Sequence, residues 1–155
     1  MGKVNEGRNW YERGIKECGS TEGGVVLWIS VARLEEKAGR VGKARSLLEL
    51  GRLKNKGEPR LWLESARMER RVGNDEGAGK VMAMALQECP KSGVLWAEEI
   101  RMAKKVDQKR ISMGAIKNCN DDVAVVAAVA LLFVGERKYE KARKWFLRAT
   151  VLDPR

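Results

Sequence analysis

Leu27-Trp28-Ile29-Ser30-Val31-Ala32-Arg33-Leu34-Glu35 decides the fold, because it comes back. Leu61-Trp62 and Leu95-Trp96 repeat its opening, so that Trp28, Trp62 and Trp96 stand 34 residues apart. Glu35 and Glu69 each follow their Trp by seven residues, and Ala44 and Ala78 follow by sixteen. A period of 34 is that of a helix-turn-helix repeat, in which no unit can bury its apolar face alone and stacking buries a continuous core.

Working outward, a second anchor recurs as a small residue two helical turns into an apolar stripe. It occurs at Gly14, Gly51, Ala85, Ala115 and Ala149, with spacings of 37, 34, 30 and 34. The three extra residues fall in the glycine-rich loop Gly19 to Gly24, and the four missing ones make about one helical turn. Within a repeat, Leu27, Val31, Leu34 and Ala38 lie on one face of a first helix. Ala44, Leu47, Leu48 and Gly51 do so on a second, matched by Ala78, Val81, Met82 and Ala85 and by Ala142, Trp145, Phe146 and Ala149. Gly39 and Gly73 follow first helices where a C-terminal glycine belongs. Pro59, Pro90 and Pro154 follow second helices, where a helix must stop. Asn74-Asp75 and Asp121-Asp122 read as N-caps. The third pair turns at Lys104-Lys105-Val106-Asp107. No stretch alternates with a period of two, so the expected class is all-α: a right-handed solenoid of antiparallel helix pairs. The expected organisation is one domain over 1–155. It holds a half repeat over 1–19 and pairs over about 26–55, 60–89, 94–119 and 122–153. Neither end carries a polar capping repeat, and the expectation is a piece of a longer superhelix.

The chain has 155 residues, 31 Lys and Arg against 21 Asp and Glu, a net charge of +10 and 44% apolar residues. That apolar share excludes wholesale disorder. The longest apolar run, Val123 to Val134, is shorter than the roughly 20 residues of a membrane span. No secretory signal opens the sequence. There is no histidine, which removes the commonest general base and metal ligand. Cys18, Cys89 and Cys119 are too far apart in sequence for a zinc motif and read as small apolar residues. Glu35 and Glu69 recur with the repeat, so they read as an inter-helix ion pair or hydrogen bond rather than a catalytic pair. No catalytic residue, metal or cofactor is expected.

The Trp is not followed by the Gly and Tyr of a tetratricopeptide repeat. A Trp with Glu seven later, then Ala-Arg in the second helix (Ala44-Arg45, Ala142-Arg143), resembles the HAT, or half-a-TPR, repeat. HAT repeats are largely found in RNA-processing proteins. Leu61-Trp62-Leu63-Glu64-Ser65, Met82 to Trp96 and Lys141 to Phe146 resemble those of spliceosomal tri-snRNP scaffolds. The resemblance implies a non-enzymatic scaffold for pre-mRNA splicing in the nucleus, with spliceosomal snRNP proteins as partners. Two alternatives stand beside it: a HAT subunit of the messenger-RNA 3′-end machinery, and a basic module that binds RNA directly.

The expected repeat core is Trp28, Trp62, Trp96, Ala44, Ala78, Ala142 and Trp145. Asp122 to Gly135 is apolar almost all round, which makes Leu131, Leu132 and Phe133 the candidate protein interface and predicts self-association through the open solenoid end. Lys104, Lys105, Lys109, Arg110, Arg137 and Lys138 are the candidate contacts for RNA backbone or an acidic partner. No exposed aromatic residue is expected among them, so base stacking is not. Trp62→Ala should destabilise the fold by about 3–5 kcal/mol in denaturant titration, the cost of emptying a large aromatic site. A loss below about 1 kcal/mol would place the Trp column on a binding surface instead.

Overall fold

The computed structural model describes residues 2–18 and 22–154. Among them are nine α-helices and no strand: α1 (Gly2–Cys18), α2 (Glu22–Lys37), α3 (Val41–Lys54), α4 (Pro59–Arg71), α5 (Asp75–Glu88), α6 (Gly93–Met102), α7 (Lys105–Asn118), α8 (Val123–Gly135) and α9 (Tyr139–Leu152). The pairs α2–α3, α4–α5, α6–α7 and α8–α9 correspond to the four helix pairs of the sequence. The chain forms two compact units, Met1–Met84 and Ala85–Arg155.

In the first unit, α1 packs on α2, α2 on α3, and α4 on both α2 and α3. Val25, Trp28 and Ala32 of α2 meet Ala44 and Leu48 of α3 and Leu61 and Met68 of α4. The small anchor exists for this contact. A Cβ on Gly51 would sit 3.1 Å from the Trp28 ring and 3.3 Å from Leu61 Cδ2, so the helix axes approach as closely as they do only because no side chain intervenes. Arg52 lays its guanidinium 4.2 Å from the Trp62 ring centroid, a cation–π contact.

The second unit is built on Ala97 and Ile100 of α6, Ala115 and Cys119 of α7, and Val125, Ala128 and Val129 of α8. Trp96, Phe133 and Trp145 pack against this core from its margins. Trp96 Nε1 donates to the Pro90 carbonyl at 2.8 Å, so its half-exposed indole keeps a partner. Cys89 and Cys119 are buried. Burial, with the Asp122 carboxylate, pushes the Cys119 thiol up.

Caps follow the sequence. Asn74 Oδ1 accepts from the Gly77 amide at 3.0 Å, and Asp122 Oδ1 from the Ala124 amide at 2.9 Å. Pro59 opens α4 rather than merely ending what precedes it. Two expectations need correction. The first pair begins at Glu22, so Gly23 and Gly24 belong to α2 and not to a loop. Burial of Val25 and Trp28 one turn on outweighs the weak helix propensity of glycine. The third pair turns at Ala103-Lys104, with Lys105 to Asp107 already in the first turn of α7.

Three first helices end alike. The amides of Gly39 and Arg40, of Gly73 and Asn74, and of Arg137 and Lys138 turn back onto the last carbonyls of α2, α4 and α8 in a Schellman arrangement. That geometry needs a positive φ, which is 77° at Gly39, 79° at Gly73 and 59° at Arg137. Arg137 carries a Cβ where its counterparts have none. Arg137→Gly should therefore raise stability by about 1 kcal/mol, read as a higher urea midpoint with an unchanged slope.

Candidate interaction surface

The recurrent glutamate is buried and held by an arginine from the helix before it. Glu35 of α2 is fully buried and takes Arg8 Nε of α1 at 2.6 Å and Nη2 at 3.2 Å, with Lys43 Nζ at 3.4 Å. Burial pushes the Glu35 carboxyl up, but hydrogen bonds from Arg8 and Lys43 outweigh it and hold the group below its ordinary range. Glu69 of α4 takes both forks of Arg45 of α3, Nη2 at 2.8 Å, and Asn74 Nδ2 at 2.7 Å. The Arg45 hydrogen bond is what lowers the Glu69 carboxyl. A third buried carboxylate, Glu64, binds Arg33 at 2.9 and 2.6 Å and Arg71 at 2.7 Å, and Arg71 reaches on to Glu36 at 2.7 Å. These carboxylates are committed, as ions, to arginines. They hold helices together and have no proton poised for transfer.

Among the residues singled out from the sequence, Trp28, Trp62, Ala44, Ala78 and Ala142 are buried, and Trp96 and Trp145 are half-buried. The apolar segment of α8 divides. Leu131 is 52% exposed, whereas Leu132 and Phe133 turn inward onto the core of the second unit, Phe133 with its ring 6.4 Å from Trp145. The helical phase of α8 thus leaves Leu131 as the outward member of that trio. Lys104, Lys105, Lys109, Arg110, Arg137 and Lys138 are all exposed. Of these, Lys138 and Lys109 act on Glu136. Its carboxyl is lowered first by the Lys138 hydrogen bond at 2.7 Å, then by the fields of Lys109 and Lys141. Aromatic side chains do stand among exposed basic ones: Tyr139 is 61% exposed beside Lys138, and Arg13 lies 5.9 Å from the exposed Trp10 ring. The helical phase of α1 and α9 decides this, and sequence spacing alone placed no aromatic side chain there.

Reasoning from sequence also missed the outer face of α9. Tyr139, Ala142, Arg143, Phe146 and Leu147 share one side of that helix and, with Val134 of α8, line a shallow, largely apolar groove. The signal was present in the i, i+4, i+7, i+8 spacing of Tyr139, Arg143, Phe146 and Leu147. Among the described residues no group of three or more His, Cys, Asp or Glu is placed to hold a metal ion, and no helix is long and apolar enough to cross a membrane.

No family model matches the chain. A 47-residue segment is 47% identical to Protein STABILIZED1 of Arabidopsis thaliana, covering 30% of this chain and 5% of that protein. A 42-residue segment is 48% identical to Pre-mRNA-processing factor 6 of Homo sapiens, covering 27% of this chain and 4% of the relative. The matches therefore span a small fraction of these relatives' length. In fold, the chain is similar to one in the crystal structure of the APC/C hetero-tetramer Cut9–Hcn1, with a TM-score of 0.63 at 11% identity, covering 97% of this chain and 29% of the other. It is also similar to the MamA protein, with a TM-score of 0.57 at 10% identity, covering 99% and 84%. The fold is a TPR-like helical repeat.

Because Glu35, Glu64 and Glu69 are lowered in the folded state, their stabilisation is present above the ordinary carboxylate value of about 4.3 and is lost as pH falls through the folded values. The urea midpoint should be flat from neutrality to about pH 5 and fall below it. Glu35→Gln, which keeps the shape and removes the charge facing Arg8, should cost about 3 kcal/mol at neutral pH and flatten the acid limb.

Proposed function

We propose that this chain is a non-enzymatic scaffold in pre-mRNA splicing, holding snRNP proteins together in the nucleus through its helical-repeat surface. The observation that carries the reading is the 42-residue segment 48% identical to Pre-mRNA-processing factor 6. The HAT-like recurrence of Trp, Glu and Ala-Arg supports it, as do the arginines that pair with the buried Glu35, Glu64 and Glu69. The mechanism is presentation. Rigidly packed helix pairs hold exposed side chains at fixed spacing, so that a helical or extended segment of a partner meets a preformed surface and loses little of its binding energy to ordering the receptor.

A second reading, direct contact with RNA backbone, is favoured by the convergence of Lys109, Lys138 and Lys141 around Glu136 with Tyr139 exposed beside them. Such contact would be weak and insensitive to sequence, because ammonium groups meeting phosphates read no base.

The chain should capture snRNP proteins from nuclease-treated nuclear extract, read by mass spectrometry. On purified RNA its binding should fall steeply as salt rises, in line with counter-ion release. Capture of the 3′-end cleavage machinery in place of snRNP proteins would move the scaffold to that process. Tight, sequence-selective RNA binding that survives moderate salt would replace the scaffold reading with the second one.

A further inference from the structure

An arginine stands five residues after each Trp of the repeat, at Arg33, Arg67 and Arg101. The stations that follow differ between repeats. Where the first has Glu36, Lys37 and Val41, the second has Arg70, Arg71 and Asp75, each 34 residues on. Arg67 meets Arg70 and Arg71 on one face of α4, at spacings of three and four residues. Like charges so placed cost stability unless an anion lies among them. Together with Asp75, which opens α5, the three arginines line a hollow of about 350 Å³ within the first unit.

The hollow is held in shape by its surroundings. Arg71 donates Nε and Nη2 to Glu36 at 2.8 and 2.7 Å, and Nη2 also to Glu64 at 2.7 Å, so its guanidinium is fixed while it stays exposed. The turn from α4 to α5 is set by the positive φ of Gly73 and by Asn74, which bonds both Glu69 and the Gly77 amide. Arg70 and Asp75 are exposed, and among the described residues neither side chain has a hydrogen-bond or ion-pair partner. A cation in the last turn of α4 offsets the negative end of that helix, and Arg71 already supplies one. Arg70 is thus a second cation for which the fold itself has no use.

Planar guanidinium forks match phosphoryl oxygens. A phosphoserine carries roughly two negative charges at neutral pH and three acceptor oxygens, enough to meet three arginines. RNA backbone is a poorer fit. It presents single charges in a continuous run, which the Asp75 carboxylate repels, and none of the described lining residues is an aromatic platform for its bases. Asp75 instead suits a cation close to the phosphate. We propose that this hollow binds a phosphoserine or phosphothreonine of a partner protein that carries a basic residue beside it. The phosphoryl group meets Arg67, Arg70 and Arg71, and the basic side chain meets Asp75. The site rests on the scaffold reading and gives its partner a chemistry: attachment follows the partner's phosphorylation.

The test titrates the isotope-labelled full chain with an end-blocked peptide holding one phosphoserine and a nearby arginine, and follows backbone amide shifts by nuclear magnetic resonance. Shifts should concentrate over residues 67–77. The unphosphorylated peptide should bind roughly tenfold more weakly, and Arg70→Glu should weaken the phosphopeptide by a similar factor. Asp75→Asn should abolish the preference for the arginine-bearing phosphopeptide over one with alanine in its place. Circular dichroism checks that both variants, altered at exposed positions, stay folded; the parent chain's shifts decide if one does not. Four outcomes overturn the proposal. One is no shift over 67–77. Another is equal binding of the unphosphorylated peptide. A third is a folded Arg70→Glu chain that binds as the parent does. The last is an oligouridylate that shifts the same amides at lower concentration than the phosphopeptide, which would assign the hollow to RNA. Failure here with snRNP capture intact removes only this site. Phosphate-dependent binding here without snRNP capture removes the splicing reading and keeps the site.

Discussion

A carboxylate cannot be buried between helices unless a cation meets it there, and the first unit is arranged around that constraint. Glu35 and Glu69 are placed in the interior by the same helix that buries Trp28 and Trp62. An unpaired charge in that position would cost several kcal/mol. Apolar packing alone permits helices to slide or rotate against one another by small amounts. A bidentate arginine does not, because its planar fork matches a carboxylate in one orientation. Arg8 and Arg45 therefore act as register pins: hydrophobic area supplies most of the stabilisation, and the ion pair sets the alignment. The Arg33–Glu64–Arg71–Glu36 chain extends the same logic along α2 and α4.

Much of this was legible in the sequence because it repeats. The 34-residue return of Leu-Trp pointed to helix pairs, and the described residues form helices and no strand. What repetition does not disclose is partnership. Glu35 was visible as a recurrent residue, but its arginine lies 27 residues earlier, whereas that of Glu69 lies 24 earlier. The interval depends on the loop between the helices and on how they dock. The glycines before Val25 looked like a loop because propensity is local, while the burial that draws Gly23 and Gly24 into α2 is tertiary.

The interaction surface was legible only in outline. Basic composition pointed to Lys104 through Lys138, and the structure adds that side chains from α7 and from the α8–α9 turn share one electrostatic field at Glu136. An apolar α8 suggested an outward-facing surface, yet with no polar stripe to fix its rotation the sequence could not say which of Leu131, Leu132 and Phe133 points away. The amphipathic helix beside it, α9, carries the larger open apolar face, and its exposure emerges only when Phe146 is compared with Leu48 at the same station of the repeat.

The shortening of α6 to ten residues has a consequence of a different kind. Losing one turn puts Ala103, an extended residue, where the earlier first helices carry their buried glutamate. At that station α6 therefore offers no carboxylate to an arginine. It contains instead Glu99, whose carboxyl burial pushes up. A group raised in the folded state stabilises when protonated and weakens the fold as pH rises through its folded value, the reverse of Glu35 and Glu69. Acid thus undoes the ion pairs of Glu35 and Glu69, whereas protonation of Glu99 relieves a charge that burial disfavours.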